Sequence, residues 1–236
     1  MKTFTTINLK KLKTYSILLF ATLTSLTACK KTETTDTTIS YLRVVNASPA
    51  LATYYAYLNG SAITSAALPF EGSTAFASRE AGTYPIKFTS ENTTESLYTR
   101  NITMAANTYQ SFYLINKPGA LDGLLLTDDT SVPATDKAYI RFINLSPDAP
   151  ALDLAKTAAT TSYTTNKSYK TSSGFMAIDP GTFTLDAKLT STGAVKVTSA
   201  STTFVAGYRY DVICGGLVTP TGTTERALSL NIITIK

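Results

Sequence analysis

Tyr41-Leu42-Arg43-Val44-Val45-Asn46-Ala47-Ser48-Pro49 is a short stretch that the chain repeats almost unchanged as Tyr139-Ile140-Arg141-Phe142-Ile143-Asn144-Leu145-Ser146-Pro147. The two stretches begin 98 residues apart, which is about the length of one β-sandwich domain. In each stretch apolar residues alternate with Tyr and Arg, with the period of a β-strand. Asn and Ser-Pro then end the strand, because Asn favours local turns and Pro donates no hydrogen bond to a ladder. The repeat therefore predicts the first strand of each of two copies of a β module.

Two further segments match in the same order along the chain. Residues 81–88 match residues 180–187, and each segment opens a strand with Gly-Thr followed by an aromatic residue. Residues 108–115 match residues 207–214, and the offset is 99 residues in both cases. This alignment places Cys214 opposite Ile115. Three matched segments in one order indicate a duplicated fold.

Short strands rich in Thr, Tyr and Val, without a helical period, predict an all-β chain of two tandem immunoglobulin-like antiparallel β-sandwich domains. The chain has no Trp and therefore lacks the signature of antibody domains. The predicted strands are 40–46, 53–58, 62–68, 73–77, 83–88, 97–104, 108–115 and 121–126 in the first copy, and 138–144, 151–156, 168–178, 182–188, 194–204, 208–214 and 226–235 in the second. The polar segment 127–136 separates the copies, so we place the domains at residues 39–131 and 132–236. We interpret Asp128-Asp129 in this segment as a solvated charge pair.

The N-terminus has the pattern of a secretory signal. Four lysines and no acid precede an apolar run, residues 16–26, that is shorter than the roughly 20 apolar residues of a transmembrane helix. Leu26-Thr27-Ala28-Cys29 resembles the lipobox of bacterial lipoproteins, which implies cleavage before Cys29 and acylation of Cys29, with palmitate among the attached chains. Residues 1–28 are thus expected to be a lipoprotein signal peptide and residues 29–38 a flexible tether. Lys30-Lys31 after the cysteine resembles outer-membrane sorting signals, and a periplasmic or a cell-surface orientation stays open.

Charge and composition exclude several classes of function. The signal segment carries four of the 21 basic residues, so the remaining chain has 17 basic against 16 acidic side chains, scattered rather than striped. A nearly neutral surface does not favour nucleic acid as a partner. The chain has no His, which excludes His-dependent catalytic triads and His-containing metal sites. We expect no enzymatic activity, no cofactor and no metal centre.

The first-strand stretch and residues 146–154, Ser-Pro-Asp-Ala-Pro-Ala-Leu-Asp-Leu, resemble the family catalogued as domain of unknown function 4397. The pattern of that family runs Val-Arg-Val-Val, His or Asn, Ala-Ser-Pro-Asp-Ala-Pro, an apolar-Asp-apolar strand and a later Gly-Thr-Tyr. The second copy matches most of this pattern, including Asp148 and Asp153, whereas the first copy has Ala50 and Tyr55 at these positions. The resemblance implies a secreted or lipid-anchored bacterial protein. It leaves the activity open, because the function of the family is not established.

Four charged residues of the repeated motif are candidate ligand contacts. Arg43 and Arg141 recur on the face opposite the apolar side chains, where each can pair with a carboxylate, cover the sheet with its stem or bind an acidic ligand. Asp148 and Asp153 could contribute oxygens to a Ca²⁺ site. The alternative is that Asp148 caps the Ser-Pro turn while Asp153 pairs with Arg141 or faces solvent.

Tyrosine is abundant, and Tyr55 and Tyr57 fall on one face of a predicted strand. If Leu58 points into the core, both tyrosines are exposed neighbours that can stack on sugar rings or anchor a protein partner. The alternative is that Tyr simply suits a half-buried strand. Cys214 is in phase with apolar residues, so we expect a buried small hydrophobic residue rather than a reactive nucleophile.

The sequence therefore predicts a membrane-anchored envelope protein that acts as a non-catalytic binding module for a glycan or an envelope protein. The alternative is a structural spacer or assembly component without a specific ligand. A third hypothesis is a glycosidase that uses carboxylates alone, such as Asp148 and Asp153, which needs two acids roughly 5–10 Å apart.

Overall fold

The computed structural model describes residues 38–128 and 134–235, and these residues form nineteen β-strands and no helix. The strands of the first copy are β1 (Ile39–Asn46), β2 (Tyr54–Leu58), β3 (Ser61–Ala62), β4 (Ala77–Glu80), β5 (Gly82–Ser90), β6 (Tyr98–Met104), β7 (Tyr109–Ile115) and β8 (Asp122–Asp128). Those of the second copy are β9 (Ala138–Asn144), β10 (Leu152–Lys156), β11 (Ser162–Lys167), β12 (Thr171–Ser172), β13 (Met176–Ile178), β14 (Gly181–Phe183), β15 (Leu185–Leu189), β16 (Val195–Thr198), β17 (Thr202–Phe204), β18 (Arg209–Gly215) and β19 (Ser229–Ile235). The prediction of an all-β fold is confirmed.

Each copy is a sandwich of two main sheets. The first copy has sheets ordered β4-β1-β7-β8 and β3-β2-β5-β6. The second has β12-β9-β18-β19, with β13 also on β9, and β11-β10-β15-β16, while β14 and β17 form a separate pair. The first strand of each copy runs parallel to a late strand, β1 to β7 and β9 to β18, and the other strand pairings are antiparallel. The predicted boundary between residues 131 and 132 falls outside the described residues.

Three hydrophobic cores hold these sheets together. Two of them lie inside the sandwiches, around Phe88 and Phe112 in the first copy and around Phe142 and Phe204 in the second. The third core joins the copies and consists of Val45, Ala47, Tyr113, Ile115, Ile143, Leu145 and Ile213. The sheet with β1 and the sheet with β9 thus pack against each other, and the four main sheets stack in layers. The described residues from both copies belong to one compact unit.

This packing corrects one expectation about the first strand. The sequence pattern suggested that only alternate residues of β1 are buried, yet every residue from Leu42 to Asn46 is buried. The reason is that the face opposite the first sandwich core contacts the second copy instead of water. In β1, the face that carries polar residues such as Arg43 is therefore buried against the second copy and is not exposed to solvent.

The Asn of the repeated stretch holds the chain in the same way in both copies. The side-chain oxygen of Asn46 accepts a hydrogen bond from Ser48 N at 3.0 Å, and its Nδ2 donates to Leu68 O at 2.9 Å. Asn144 repeats both bonds, with Ser146 N at 3.2 Å and Lys167 O at 3.0 Å. Such side-chain turns end a strand and also tie the following segment to the sheet.

The predicted strands fail mainly at the third strand of each copy. The first copy was predicted to have a strand at 62–68, but β3 ends at Ala62 and the chain rejoins β2 only at Leu68. In the second copy β11 was not predicted, because its sequence Ser-Tyr-Thr-Thr-Asn-Lys has little apolar character and lies at a sheet edge. The predicted strand 168–178 is present as β12 and β13, which lie on either side of Gly174, a residue type that weakens the interior of a strand.

In the structure, the last repeated segment of the second copy matches that of the first copy with an offset one residue larger than the sequence match gives. Arg43 lies opposite Ser111 in the β1–β7 pair, and Arg141 lies opposite Asp211 in the β9–β18 pair. Asp211 therefore corresponds to Ser111 with an offset of 100 residues rather than 99. By the same register Cys214 corresponds to Leu114 and not to Ile115.

Residues 216–228, which join β18 to β19, reach across to the first copy, and we call them the inter-copy loop. Leu51 N donates to Thr224 O at 2.8 Å, and Arg226 N donates to Pro49 O at 3.1 Å. The Nζ of Lys117 pairs with Glu225 Oε1 at 2.7 Å. The loop begins at Gly216, whose φ is +79°, and a Cβ there would collide with the carbonyl of Ala227.

Acid should release the inter-copy loop. The hydrogen bond from Lys117, together with those from Thr221, lowers the pKa of Glu225 from 4.5 to about 2. A lowered pKa in the folded state means that the contact stabilises the fold above pH 4.5 and that this stabilisation is lost as the pH falls toward about 2. We expect amide exchange at Leu51 and Arg226, corrected for intrinsic rates, to accelerate in this interval. Glu225→Gln should exchange fast already at neutral pH; protection equal to wild type would contradict the assignment.

Candidate functional site

The two recurrent arginines meet two aspartates between the copies, and we call these four residues the charge cluster. Arg43 Nη2 lies 2.6 Å from Asp211 Oδ2, and Arg141 Nε lies 2.8 Å from Asp211 Oδ1. Arg141 also pairs with Asp128, at 2.5 Å between Nη2 and Oδ1. These side chains are at most 4% exposed. Two positive and two negative charges balance, which is the condition under which buried ions are tolerated.

Two hydroxyl groups complete the charge cluster. Tyr113 OH donates to Asp211 Oδ2 at 2.5 Å, and Ser111 Oγ donates to Asp128 Oδ2 at 2.7 Å. Burial, and then the negative charge of Asp211, raise the pKa of Tyr113 well above its usual value, so the phenol stays protonated and can donate. Burial alone would lower the pKa of Arg141, but the charge of Asp211 raises it overall. Arg141 thus keeps its positive charge at neutral pH.

Aromatic rings cover both guanidinium groups from equivalent positions. The Cζ of Arg43 lies 5.1 Å from the ring centroid of Phe76, and that of Arg141 lies 4.7 Å from the ring centroid of Phe175. With aspartates on one side and rings on the other, the guanidinium groups already have partners. The structure therefore supports the carboxylate-pairing interpretation of both arginines rather than a site for an acidic ligand.

Two sequence-based interpretations of these charges were wrong. Asp128 is not a solvated residue of the linker, because it is only 4% exposed and pairs with Arg141. Arg141 does not pair with Asp153, whose Oδ1 accepts hydrogen bonds from Asn166 N and Thr190 Oγ1. A signal for Asp211 was present in the sequence: it is the one acid in a predicted strand, residues 208–214, that is otherwise apolar except for Arg209, and a charge inside a buried strand requires a partner.

Tyr55 and Tyr57 lie on the outer face of the sheet β3-β2-β5-β6. Tyr54, Ala56 and Leu58 point into the core, so the two tyrosines between them point outward and are partly exposed. The cross-strand neighbour of Tyr57 is Lys87, whose Nζ lies 4.8 Å from the centroid of the Tyr57 ring. The sequence predicted this placement from the alternation of the strand alone. We call this surface the tyrosine face.

A groove of about 480 Å³ adjoins the tyrosine face. It is lined by the two tyrosines, by buried Thr89 and by the loop that follows β5, residues 90–94 with the sequence Ser-Glu-Asn-Thr-Thr. The lining therefore combines two aromatic rings with hydroxyl and amide groups. Glu91 is the one carboxylate among these lining residues, and its Oε2 accepts a hydrogen bond from Thr53 Oγ1 at 3.0 Å.

Asp148 and Asp153 act in local structure and are not brought to one site. Asp148 accepts hydrogen bonds from Ser146 Oγ, Val218 N and Thr219 N, so it braces the Ser-Pro turn as expected and also holds the inter-copy loop. These donors lower the pKa of Asp148 despite its partial burial. Within residues 38–128 and 134–235 there is no group of three or more His, Cys, Asp or Glu side chains that could hold a metal ion.

Cys214 lies in the core of the second copy and is fully buried. Burial raises the pKa of its thiol to about 12, so a reactive thiolate is absent at neutral pH. Cys29, the predicted lipidation site, lies outside the described residues, as do the predicted signal peptide and nearly all of the tether. The part of the chain that the structure describes has no helix of the length and apolarity needed to cross a membrane.

These features define a duplicated β-sandwich protein whose two copies share a buried ionic interface. Residues 40–155 match the family described as domain of unknown function (DUF4397), and this segment belongs to that family. The resemblance drawn from the repeated stretch is thereby confirmed. The matched segment covers the first copy and extends into β10 of the second. No curated protein sequence shows significant similarity to the chain.

The solved structures that match the chain are distant in sequence and superpose on it poorly. One is CBMbc, of family CBM26, from Eubacterium rectale Amy13K, solved in complex with maltoheptaose; it is 9% identical, with 83% of this chain and 96% of that one covered at a TM-score of 0.27. Another is the Bacillus anthracis TIE protein, which is 11% identical, with 76% of this chain and 34% of that one covered at a TM-score of 0.25.

Removing one charge from the cluster should destabilise the whole protein. In Asp211→Asn both arginines stay buried with only Asp128 to balance them, and breaking a buried ion pair costs about 3–5 kcal/mol. We expect a loss of about that size in the free energy of unfolding, measured by urea denaturation followed by circular dichroism.

The matched control is Asp179→Asn, which breaks the surface pair between Lys137 and an aspartate whose side chain is 86% exposed. Because exposed pairs contribute little, the urea midpoint of this variant should stay close to wild type. Equal effects of the two substitutions would contradict the structural role of the charge cluster.

Proposed function

We propose that this chain is a non-catalytic glycan-binding module held at the cell envelope by a lipid on Cys29. The observation that carries the binding part of the proposal is the pair Tyr55 and Tyr57, two residues apart on a sheet face beside a groove of about 480 Å³. Two side chains at this spacing on one strand stand roughly 7 Å apart and present two aromatic rings on the same face of the sheet. Such a surface suits the apolar face of successive sugar rings.

The groove next to these rings supplies the polar contacts that a glycan needs. Ser90, Asn92 and Thr93 offer hydroxyl and amide groups that can both donate and accept hydrogen bonds, as sugar hydroxyls do. The rings themselves are held in place, because the strand that carries them lies between β3 and β5 and buries its other face. A preorganised surface loses little conformational entropy when a ligand binds.

The geometry favours binding over hydrolysis. A carboxylate-only glycosidase needs two acids roughly 5–10 Å apart, but the described lining of the groove contributes only Glu91. Asp148 and Asp153, the acids proposed from the sequence, each accept hydrogen bonds from their own neighbouring segments. Among the described residues, neither this groove nor the pair Asp148 and Asp153 supplies two such acids.

The anchor is proposed from the sequence around Cys29. Two or more acyl chains hold a protein firmly, since each buried CH₂ contributes about 0.8 kcal/mol. The lysines that follow the cysteine favour the outer membrane, and a polar tether would carry the sandwiches away from the lipid surface. The proposed lipid anchor and the proposed outer-membrane location do not depend on the proposed glycan-binding site.

A structural role is the second candidate, and one observation favours it. The buried charge cluster and the third core fix the two sandwiches as one rigid body. Such a body could act as a spacer or an assembly component between envelope proteins without a specific ligand. If the role is structural, substitutions at the tyrosine face should leave the function of the protein unchanged.

Binding should depend on the two aromatic rings. We expect Tyr55→Ala and Tyr57→Ala each to lower the affinity for a glycan selected on a glycan array by about tenfold, measured by isothermal titration calorimetry. Tyr55→Phe and Tyr57→Phe should keep most of the affinity, because they retain the ring that stacks.

The control is Val195→Ala, which removes a half-exposed apolar side chain from the outer sheet of the second copy. This variant should bind as wild type does. Absence of binding to every glycan on the array, or full binding by the Tyr55→Ala/Tyr57→Ala double variant, would contradict the proposal and favour the structural role.

The anchor can be tested separately. In Cys29→Ala the acceptor of the lipid is missing, so we expect the protein to move from the membrane fraction to the soluble fraction and labelling with a palmitate analogue to disappear. Retention of the variant in membranes, with label, would contradict acylation at this residue. Protease treatment of intact cells then tells a surface orientation from a periplasmic one.

A further inference from the structure

The first sandwich has a second groove, at its edge, with a volume of about 760 Å³. Its walls are residues 62–69, 72–77 and 79, which come from the end of β3, the loop between β3 and β4, and β4 itself. Most of the lining residues are Ala, Ser, Thr and Gly, so a polypeptide backbone can approach closely. Among the described residues that line the groove, Arg79 is the one that carries a charge. We call this feature the edge groove.

The second copy has different residues at two positions that line the edge groove in the first copy. Strand register places Ala77 of the first copy where the second has Met176, since they face Leu42 and Ile140 respectively. By the same register, Arg79 corresponds to Ile178, which is buried in the second copy.

Met176 and Ile178 pack in the core of the second sandwich, whereas Ala77 and Arg79 leave the corresponding space open. A smaller cavity, lined by Leu42, Ile63, Thr74, Ala77 and Arg79, continues from this region toward the core of the first sandwich. The opening is therefore an apolar slot at Ala77, with the cation of Arg79 at its rim.

The edge groove also runs along β4, which is an edge strand of its sheet. β4 pairs with β1 on one side and is the last strand of its sheet on the other. Alternate backbone N–H and C=O groups of an edge strand point away from the sheet and can pair with an added strand. Extended peptides bind sheet edges in this way, with affinity from backbone bonds and specificity from alternate side chains.

We propose that the edge groove binds an extended peptide segment of a partner protein as an added strand next to β4. The segment carries an aliphatic and an acidic residue two positions apart. Ala77 and Arg79 lie on the same side of β4, so residues two apart on an added strand face them. The aliphatic side chain enters the slot at Ala77, and the carboxylate pairs with Arg79.

Charge complementarity supports an acidic residue in this segment. Arg79 Nη1 donates to the neighbouring carbonyl of Ser78 at 2.6 Å, and within the described residues no carboxylate lies within ion-pairing distance of Arg79. Three surface lysines, Lys117, Lys137 and Lys170, each have an acidic partner. A partly exposed arginine beside an apolar slot is thus available for a carboxylate of the ligand.

The probes are synthetic acetylated heptapeptides of threonine with one valine and one glutamate two positions apart, made in both orders because an added strand can run in either direction. The full chain, purified in detergent micelles, is titrated with each peptide and followed by amide chemical shifts. We expect saturable shifts confined to residues 73–80 with one of the two orders. Replacement of the glutamate by glutamine, or of the valine by serine, should weaken binding by about tenfold.

The decisive variant is Ala77→Met/Arg79→Ile, which introduces the residues of the second copy. It should fold at least as well as wild type, because the second sandwich buries these side chains in its core, and it should lose peptide binding. Arg79→Met alone should bind the glutamate and glutamine peptides equally. The Tyr55→Ala/Tyr57→Ala variant should bind the peptides as wild type does, which separates this site from the tyrosine face.

Absence of saturable shifts even at millimolar peptide would overturn the proposal, and so would unchanged binding by the variant with the filled groove. Equal affinity of wild type for the glutamate and glutamine peptides would overturn the role of Arg79. Shifts that appear without any peptide when protein concentration is raised would show that a second copy of this chain occupies the groove instead.

Discussion

The ion pairs that join Arg43 and Arg141 to Asp211 are the interaction on which the arrangement of this protein depends. A buried charge is stable only with a counter-charge in place, so the position of one copy fixes the position of the other. The two arginines come from equivalent places in the repeat, whereas the two aspartates, Asp128 and Asp211, do not. Identical faces carrying only arginines would repel each other. The copies attract because the duplicated strands diverged at the positions that supply the acids.

The same interface decides which surfaces are available for ligands. The two middle sheets are covered on both faces, so only the two outer sheets and the edges of the sandwiches face solvent. Both candidate binding surfaces belong to the first copy. At the positions of Tyr55 and Ala77 the second copy has Asp153 and Met176, which are used for local hydrogen bonds and for core packing. The first copy thus carries both proposed binding surfaces, and the second copy packs against it.

The sequence pattern predicted most strands and the outward placement of Tyr55 and Tyr57, because alternation with a period of two is a local property. It signalled that Asp211 needs a partner but not which residues join it in the charge cluster, since an alternating strand looks the same whether its polar face meets water or another sheet. Matching Tyr109 to Tyr208 in the sequence gives an offset of 99 residues. Only the pairing of β7 with β1 and of β18 with β9 shows the offset of 100, which puts Asp211 opposite Arg141. The edge groove depends on the space between two sheet edges, which no single segment encodes.

The inter-copy loop also limits how the gene for such a chain can recombine. It is encoded at the end of the second repeat but contacts the first, at Pro49, Leu51 and Lys117. A recombination event that moved one repeat alone would leave this loop without its contacts and the arginines without their acids. The smallest piece that can be exchanged between genes, or grafted by an engineer, is therefore the pair of repeats with its connecting segment.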